Sequence, residues 1–135
     1  MNIIIIGCGR VGGRIAVQLS REQHNVSVID RNPLAFDKLR DCFDGKIILG
    51  TGIDEEVLSE AGIKNADVVI SVTKGDNTNI MAGQIAKFLF HVPRVIVRTS
   101  DPKNKKFYEK EIGLECYCPT EASSEKYLSL LKEGV

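Results

Sequence analysis

Three glycines at the spacing Gly7-x-Gly9-x-x-Gly12 and an aspartate 18 residues beyond the last of them, Asp30, carry the clearest chemistry in this sequence. In such a turn the first glycine permits a tight strand-to-helix reversal. The second lets a pyrophosphate approach the backbone, and the third lets helix and strand pack closely. A helix starting there offers unpaired N–H groups and the positive end of its dipole to phosphate, with Cys8 and Val11 as the intervening turn residues. Arg10, inside the turn, can reach the same phosphates as a bidentate donor. Asp30 can accept hydrogen bonds from both hydroxyls of a ribose and would repel a 2′-phosphate, which favours NAD or another adenine nucleotide over NADP. Arg31 is placed to stack on the adenine, to meet a 2′-phosphate, which Asp30 argues against, or to stand solvated at a strand end.

These residues work only if the chain brings them together, and the pattern of the sequence supplies the means. β-branched runs alternate with helical periodicity from end to end. Strands are expected at Asn2–Ile6, Val26–Asp30, Lys46–Leu49, Asp67–Val72, Arg94–Thr99 and, more weakly, Leu114–Cys118. The first helix is read with Val11, Ile15 and Leu19 on its buried face. Asn32-Pro33 and Asp101-Pro102 look like caps followed by first helical residues, and Asp54 like the cap of a short helix. The second helix would bury Phe36, Leu39 and Phe43, the fourth Met81, Ile85, Phe88 and Leu89, and the fifth Phe107, Tyr108 and Ile112. Strands apolar on both faces imply a parallel sheet covered by helices, with right-handed crossovers. The expected fold is α/β, a Rossmann-type doubly wound parallel six-stranded sheet in the order 3-2-1-4-5-6 with helices on both faces.

In that fold ligands bind beyond the C-terminal strand ends, at the switch point between the first and fourth strands. This selects Thr51 and Gly52 after the third strand, Thr73 and Lys74 after the fourth, and Arg98 at the end of the fifth. Arg98 could pair instead with a carboxylate such as Glu121. Neither His24 nor His91 is placed for proton transfer there, so no catalytic residue and no metal ligand set is assigned. Cys116-x-Cys118 has neither zinc spacing nor a nearby histidine and reads as two buried thiols.

With 135 residues, zero formal net charge and no basic stripe, one domain is expected and nucleic acid is not an expected partner. Four cysteines without a secretory leader read as reduced thiols of a cytosolic protein, and no apolar run is long enough to span a membrane.

The segments "IIIIGCGRVGGRIA", "VSVIDRNP", "ILGTGIDEEVLSEAGIKNADVVISVTKGDNTNIMAGQIAK" and "PRVIVRTSDPKNKKFYEKEIG" together resemble the N-terminal domain of TrkA/KtrA-type potassium-transport regulators, the RCK or KTN domain. The resemblance reaches to about Pro119. It implies a cytoplasmic regulatory domain, peripheral at the inner face of the membrane through its partner, that binds NAD(H), ATP, ADP or AMP. Such domains self-associate as dimers and as tetramers or octameric rings under a membrane potassium transporter or channel subunit, and gate ion transport by conformational change. On this reading residues 1–119 form the nucleotide-binding domain and 120–135 a C-terminal helix that either serves as dimer contact or crossover, with Tyr127, Leu128 and Leu131 on one face, or packs on its own sheet. Many relatives carry a second (RCK-C) domain, for which this chain has no room. Arg10 matches an arginine near the phosphates, and Asp76 and Asn79 match the helix opening after the fourth strand. Two positions depart from the family: Gly50-Thr51-Gly52 replaces a Gly-Asp-Ala/Gly whose acid can contact adenine, and Pro119-Thr120-Glu121 replaces Pro-Glu. The alternative function is a small NAD-dependent oxidoreductase or a dehydrogenase fragment, which would need an acid/base group beside the nicotinamide.

Overall fold

The computed structural model describes residues 1–134, the Arg40 side chain excepted. Along β1 (Asn2–Ile6) successive side chains point to opposite faces. Ile3 and Ile5 enter one core with Val26, Val28 and Leu39, while Ile4 and Ile6 enter a second with Ile29, Val69 and Val97. All four isoleucines are almost fully buried, each contributing about 1.5–3 kcal/mol of apolar burial. This is why the run carries no polar alternation.

The other strands are β2 (Asn25–Asp30), β3 (Lys46–Leu49), β4 (Val68–Ser71), β5 (Arg94–Arg98) and β6 (Glu115–Tyr117). They form one parallel sheet in the order β3-β2-β1-β4-β5-β6, as the sequence predicts. The register places Ile4 between Ser27 and Val69, and Ile6 between Ile29 and Ser71. α1 (Arg10–Arg21) and the turns after β2 cover the first core. α2 (Glu55–Glu60), α3 (Asp76–Gln84) and the segment after α4 (Pro102–Phe107) cover the second. Asp54 caps α2 and Asp101 caps α4, each accepting from a backbone N–H two residues on. α5 (Pro119–Glu133) buries none of its residues, leaving Tyr127, Leu128, Leu130 and Leu131 at least half exposed.

Several local expectations need correction. On α1 the buried positions are Gly12, Gly13 and Ala16, whereas Val11 is 57% exposed and Ile15 and Leu19 pack only at the flanks. The helix presses its smallest residues onto the sheet, so the inward face follows size rather than hydropathy. Pro33–Lys38 and Arg40–Cys42 form 3₁₀ turns instead of an α-helix. Here i→i+3 bonds close successive turns (Ala35 N–H to Asn32, Leu39 to Phe36, Cys42 to Leu39), and Leu39 alone is fully buried while Phe36 and Phe43 pack at the margin.

Met81, Phe88 and Leu89 face solvent, and Ile80, Ala82 and Ala86 face the core. Gly83 and the two alanines let α3 lie against β5; a Cβ on Gly83 would come within 2.5 Å of Val97. The following turn, Ile85–Leu89, is a π-turn closed by the Phe90 N–H to Ile85 carbonyl bond, which shifts the helical phase under Phe88 and Leu89. A second π-turn, Tyr108–Ile112, extends α4; Tyr108 and Ile112 pack on the core but Phe107 is exposed. On the edge strand β3, Ile47 and Leu49 remain about half exposed because no full helix lies over them.

Candidate functional site

Beyond the C-terminal ends of β1, β2, β3 and β4 lies a cavity of about 490 Å³. Its floor is the glycine turn. Gly7 adopts φ +107°, a conformation that side chains disfavour, and its N–H donates to Ile29 O at 2.8 Å. A Cβ on Gly12 would come 1.9 Å from Gly7 O, so the turn closes directly onto the first turn of α1. Gly9 differs from both. A Cβ there would meet nothing within 4 Å, yet Gly9 lines the cavity and starts α1 without a side-chain cap. The protein's own packing does not require glycine at position 9.

Asp30 ends β2 at the cavity wall. Its Oδ2 accepts from Cys8 N–H at 2.7 Å and its Oδ1 from Asn32 N–H at 2.9 Å. Each carboxylate oxygen keeps a second acceptor site, enough for a pair of hydroxyls. Cys8 is fully buried; burial foremost raises its thiol pKa, opposed by the Lys38 charge and reinforced by Asp30. It is therefore a protonated spacer and not a reactive thiolate.

The remaining wall comes from Arg31, Asn32, Leu34 and Ala35 after β2, Gly50, Thr51 and Gly52 after β3, and Thr73, Lys74, Gly75 and Thr78 after β4. Gly52 is accounted for by packing, since a Cβ there would come within 2.4 Å of Ile6 Cγ2. Lys38, which the sequence did not single out, crosses Gly13 and donates from Nζ to Cys8 O at 2.9 Å. No periodic signal marks it, because it sits in a 3₁₀ turn. Arg31, Lys38 and Lys74 set three positive charges against the single carboxylate of Asp30, a balance suited to an anionic ligand.

Thus Gly7, Cys8, Gly9, Asp30, Arg31, Thr51, Gly52, Thr73 and Lys74 share one cavity, while Arg10, Val11, Gly12 and Arg98 do not line it. Arg10 and Val11 are exposed on the first turn of α1, and Gly12 is buried beneath it. Arg98 donates from Nη1 to Thr73 O at 3.1 Å, bracing the β4 loop from behind. The Glu121 partner considered for it belongs to Lys105, at 3.1 Å. Neither histidine lines the cavity: His24 Nδ1 lies 3.2 Å from the N-terminal amine, and His91 is exposed in a loop with φ +54°.

A doubly wound parallel sheet with a glycine turn and an acidic residue at its switch point defines a Rossmann-type domain. Residues 3–116 match the TrkA-N domain family, and the chain belongs to it. It is 42% identical over 110 residues to the Trk system potassium uptake protein TrkA of Streptomyces coelicolor, covering 82% of this chain and 49% of that protein. It is 37% identical over 125 residues to a TrkA homolog of Pyrococcus abyssi, covering 93% of this chain and 55% of that protein. The chain thus spans about half the length of these curated relatives. Among solved structures it resembles the GsuK channel bound to NAD, with TM-score 0.80 and 26% identity over 98% of this chain and 23% of that one. The GsuK structure bound to ADP gives TM-score 0.79 and 25% identity, over 98% of this chain and 34% of that one.

Proposed function

We propose that this domain senses an adenine nucleotide and regulates a membrane potassium transporter or channel, without catalysing a reaction. The observation that carries the reading is Gly9, which lines the cavity and where a side chain would meet open space instead of the protein's own packing. The glycine turn would hold the phosphates, Asp30 the ribose hydroxyls, and Lys38, Arg31 and Lys74 would balance the ligand's charge. Arg10, exposed on the first turn of α1, would reach phosphate on its own or a neighbouring subunit. The names of the TrkA relatives and the NAD and ADP ligands of GsuK support both the transport role and the ligand class.

Regulation requires that ligands differ in affinity for two arrangements of the protein; equal affinity would shift nothing. The proposed arrangement is a cytoplasmic dimer or larger ring beneath its partner, with the exposed apolar face of α5 as one contact. No helix of the described residues is long and apolar enough to cross a membrane, so the transporter would be a separate chain or segment. Calorimetric titration with NAD, NADH, ATP, ADP and AMP tests the proposal. Binding of at least one below millimolar is expected, and failure of all five sinks the sensing role. Hydride transfer seen as a change in NADH absorbance with any small carbonyl substrate would favour the oxidoreductase reading instead.

A further inference from the structure

Asn79 is fully buried in the first turn of α3 and makes more side-chain hydrogen bonds than any other residue described. Its Oδ1 accepts from the Thr73 N–H at 2.9 Å, the Thr73 hydroxyl at 2.7 Å and the Ser71 hydroxyl at 3.1 Å. Its Nδ2 donates to Thr73 O at 3.0 Å and to Arg98 O at 3.1 Å. The amide orientation follows from these partners, since a flip would set NH₂ against an N–H and oxygen against two carbonyls. Arg98 closes the ring by donating to the same Thr73 carbonyl.

The ring joins two loops of different roles. Thr73 and Lys74 line the cavity. Arg98 ends β5 and runs into Thr99 and Ser100, which Asp76 of α3 holds: its carboxylate accepts from the Thr99 hydroxyl at 3.3 Å, the Ser100 hydroxyl at 2.7 Å and the Ser100 N–H at 3.0 Å. The next residue, Asp101, caps α4. A buried polar ring of this kind has one low-energy arrangement, because each broken bond leaves a desolvated group unpaired. Movement of the Lys74 loop toward an anion therefore carries the β5 end and the start of α4 with it.

We propose that Asn79 is a positioning residue that couples ligand at Lys74 to the β5–α4 junction, 99–103, which lines no part of the cavity. The proposal rests on the nucleotide reading above. The test is amide hydrogen exchange of this chain with and without ADP. In the wild type, ADP at ten times its Kd should slow exchange roughly tenfold both in the glycine turn, 7–13, and at 99–103. Asn79→Asp keeps the acceptor but removes both donated bonds. It should retain ADP protection at 7–13 and lose it at 99–103, whereas a merely structural role would loosen the core strands equally with and without ligand. Asp76→Ala cuts the same connection at Asp76, which is only partly buried, and should give the same result, and it decides the matter if Asn79→Asp does not fold. Full ADP protection at 99–103 in the folded variants, or none there in the wild type, overturns the coupling. Absence of protection at 7–13 in the wild type overturns the nucleotide reading, and the coupling with it.

Discussion

Gly9 and Gly12 are two glycines of one motif, one open to the cavity and one closed against the chain, and substitution separates them. Gly12→Ala drives a Cβ into Gly7 O and should cost about 3 kcal/mol in denaturant unfolding, with the helix forced off the turn. Gly9→Ala meets no protein atom, so stability should change by no more than about 1 kcal/mol. Its effect belongs to the ligand: nucleotide affinity measured by calorimetry should fall while the unfolding midpoint holds. Asp30→Asn keeps an acceptor for the backbone but loses charge, and should weaken adenine nucleotides about 10- to 100-fold. Unchanged affinity there would remove Asp30 from the ribose site. The spacing of these residues was readable in the sequence because a glycine turn is a local device. Lys38 was not, because its relation to Cys8 O exists only once a 3₁₀ turn folds back over α1.

At the scale of elements, burial depends on what each helix has to lie against. α3 and its π-turn put Phe88 and Leu89 outside and alanines inside, the reverse of what side-chain hydropathy suggests, because close contact with β5 favours small residues. No residue of α5 is fully buried within the chain, and a lone helix of 15 residues is marginal in water. If its apolar face meets a second subunit, the double variant Leu128→Glu/Leu131→Glu should lower the sedimentation-derived mass while leaving the fold of the sheet intact. A mass unchanged by the substitutions would remove α5 from the interface. The caps at Asp54 and Asp101 were legible because capping is decided within three residues. The failed helix between β2 and β3 was not, since Asn32-Pro33 starts a 3₁₀ turn as readily as an α-helix.

For the molecule as a whole, the two cores set its chemical behaviour. Cys8, Cys116 and Cys118 are buried and Cys42 is exposed, so under native conditions one thiol of four should react quickly with a disulfide reagent. Burial raises the Cys116 pKa from 9.0 to about 11, with Glu109 adding to it and Lys105 opposing. Between those values the unfolded thiol is ionised while the folded one keeps its proton. Stability is therefore full below about pH 9 and falls as pH rises toward 11. Unfolding midpoints measured across this range should decline, and Cys116→Ala should flatten the decline.

The order of strands, the glycine turn and the acid at the end of the second strand followed from the sequence alone. β-branched runs, short-range turns and caps are local, and the handedness of parallel crossovers leaves few ways to connect them. Tertiary structure alone decided which glycines pack closely against the chain and which lie open to the cavity, that Lys38 lines it, that Arg98 braces a loop from behind, and that Asn79 ties the fourth and fifth strand ends together. Each of these depends on distances between segments far apart in the chain, set by the packing of helices onto the sheet and carried by no residue's neighbours in sequence.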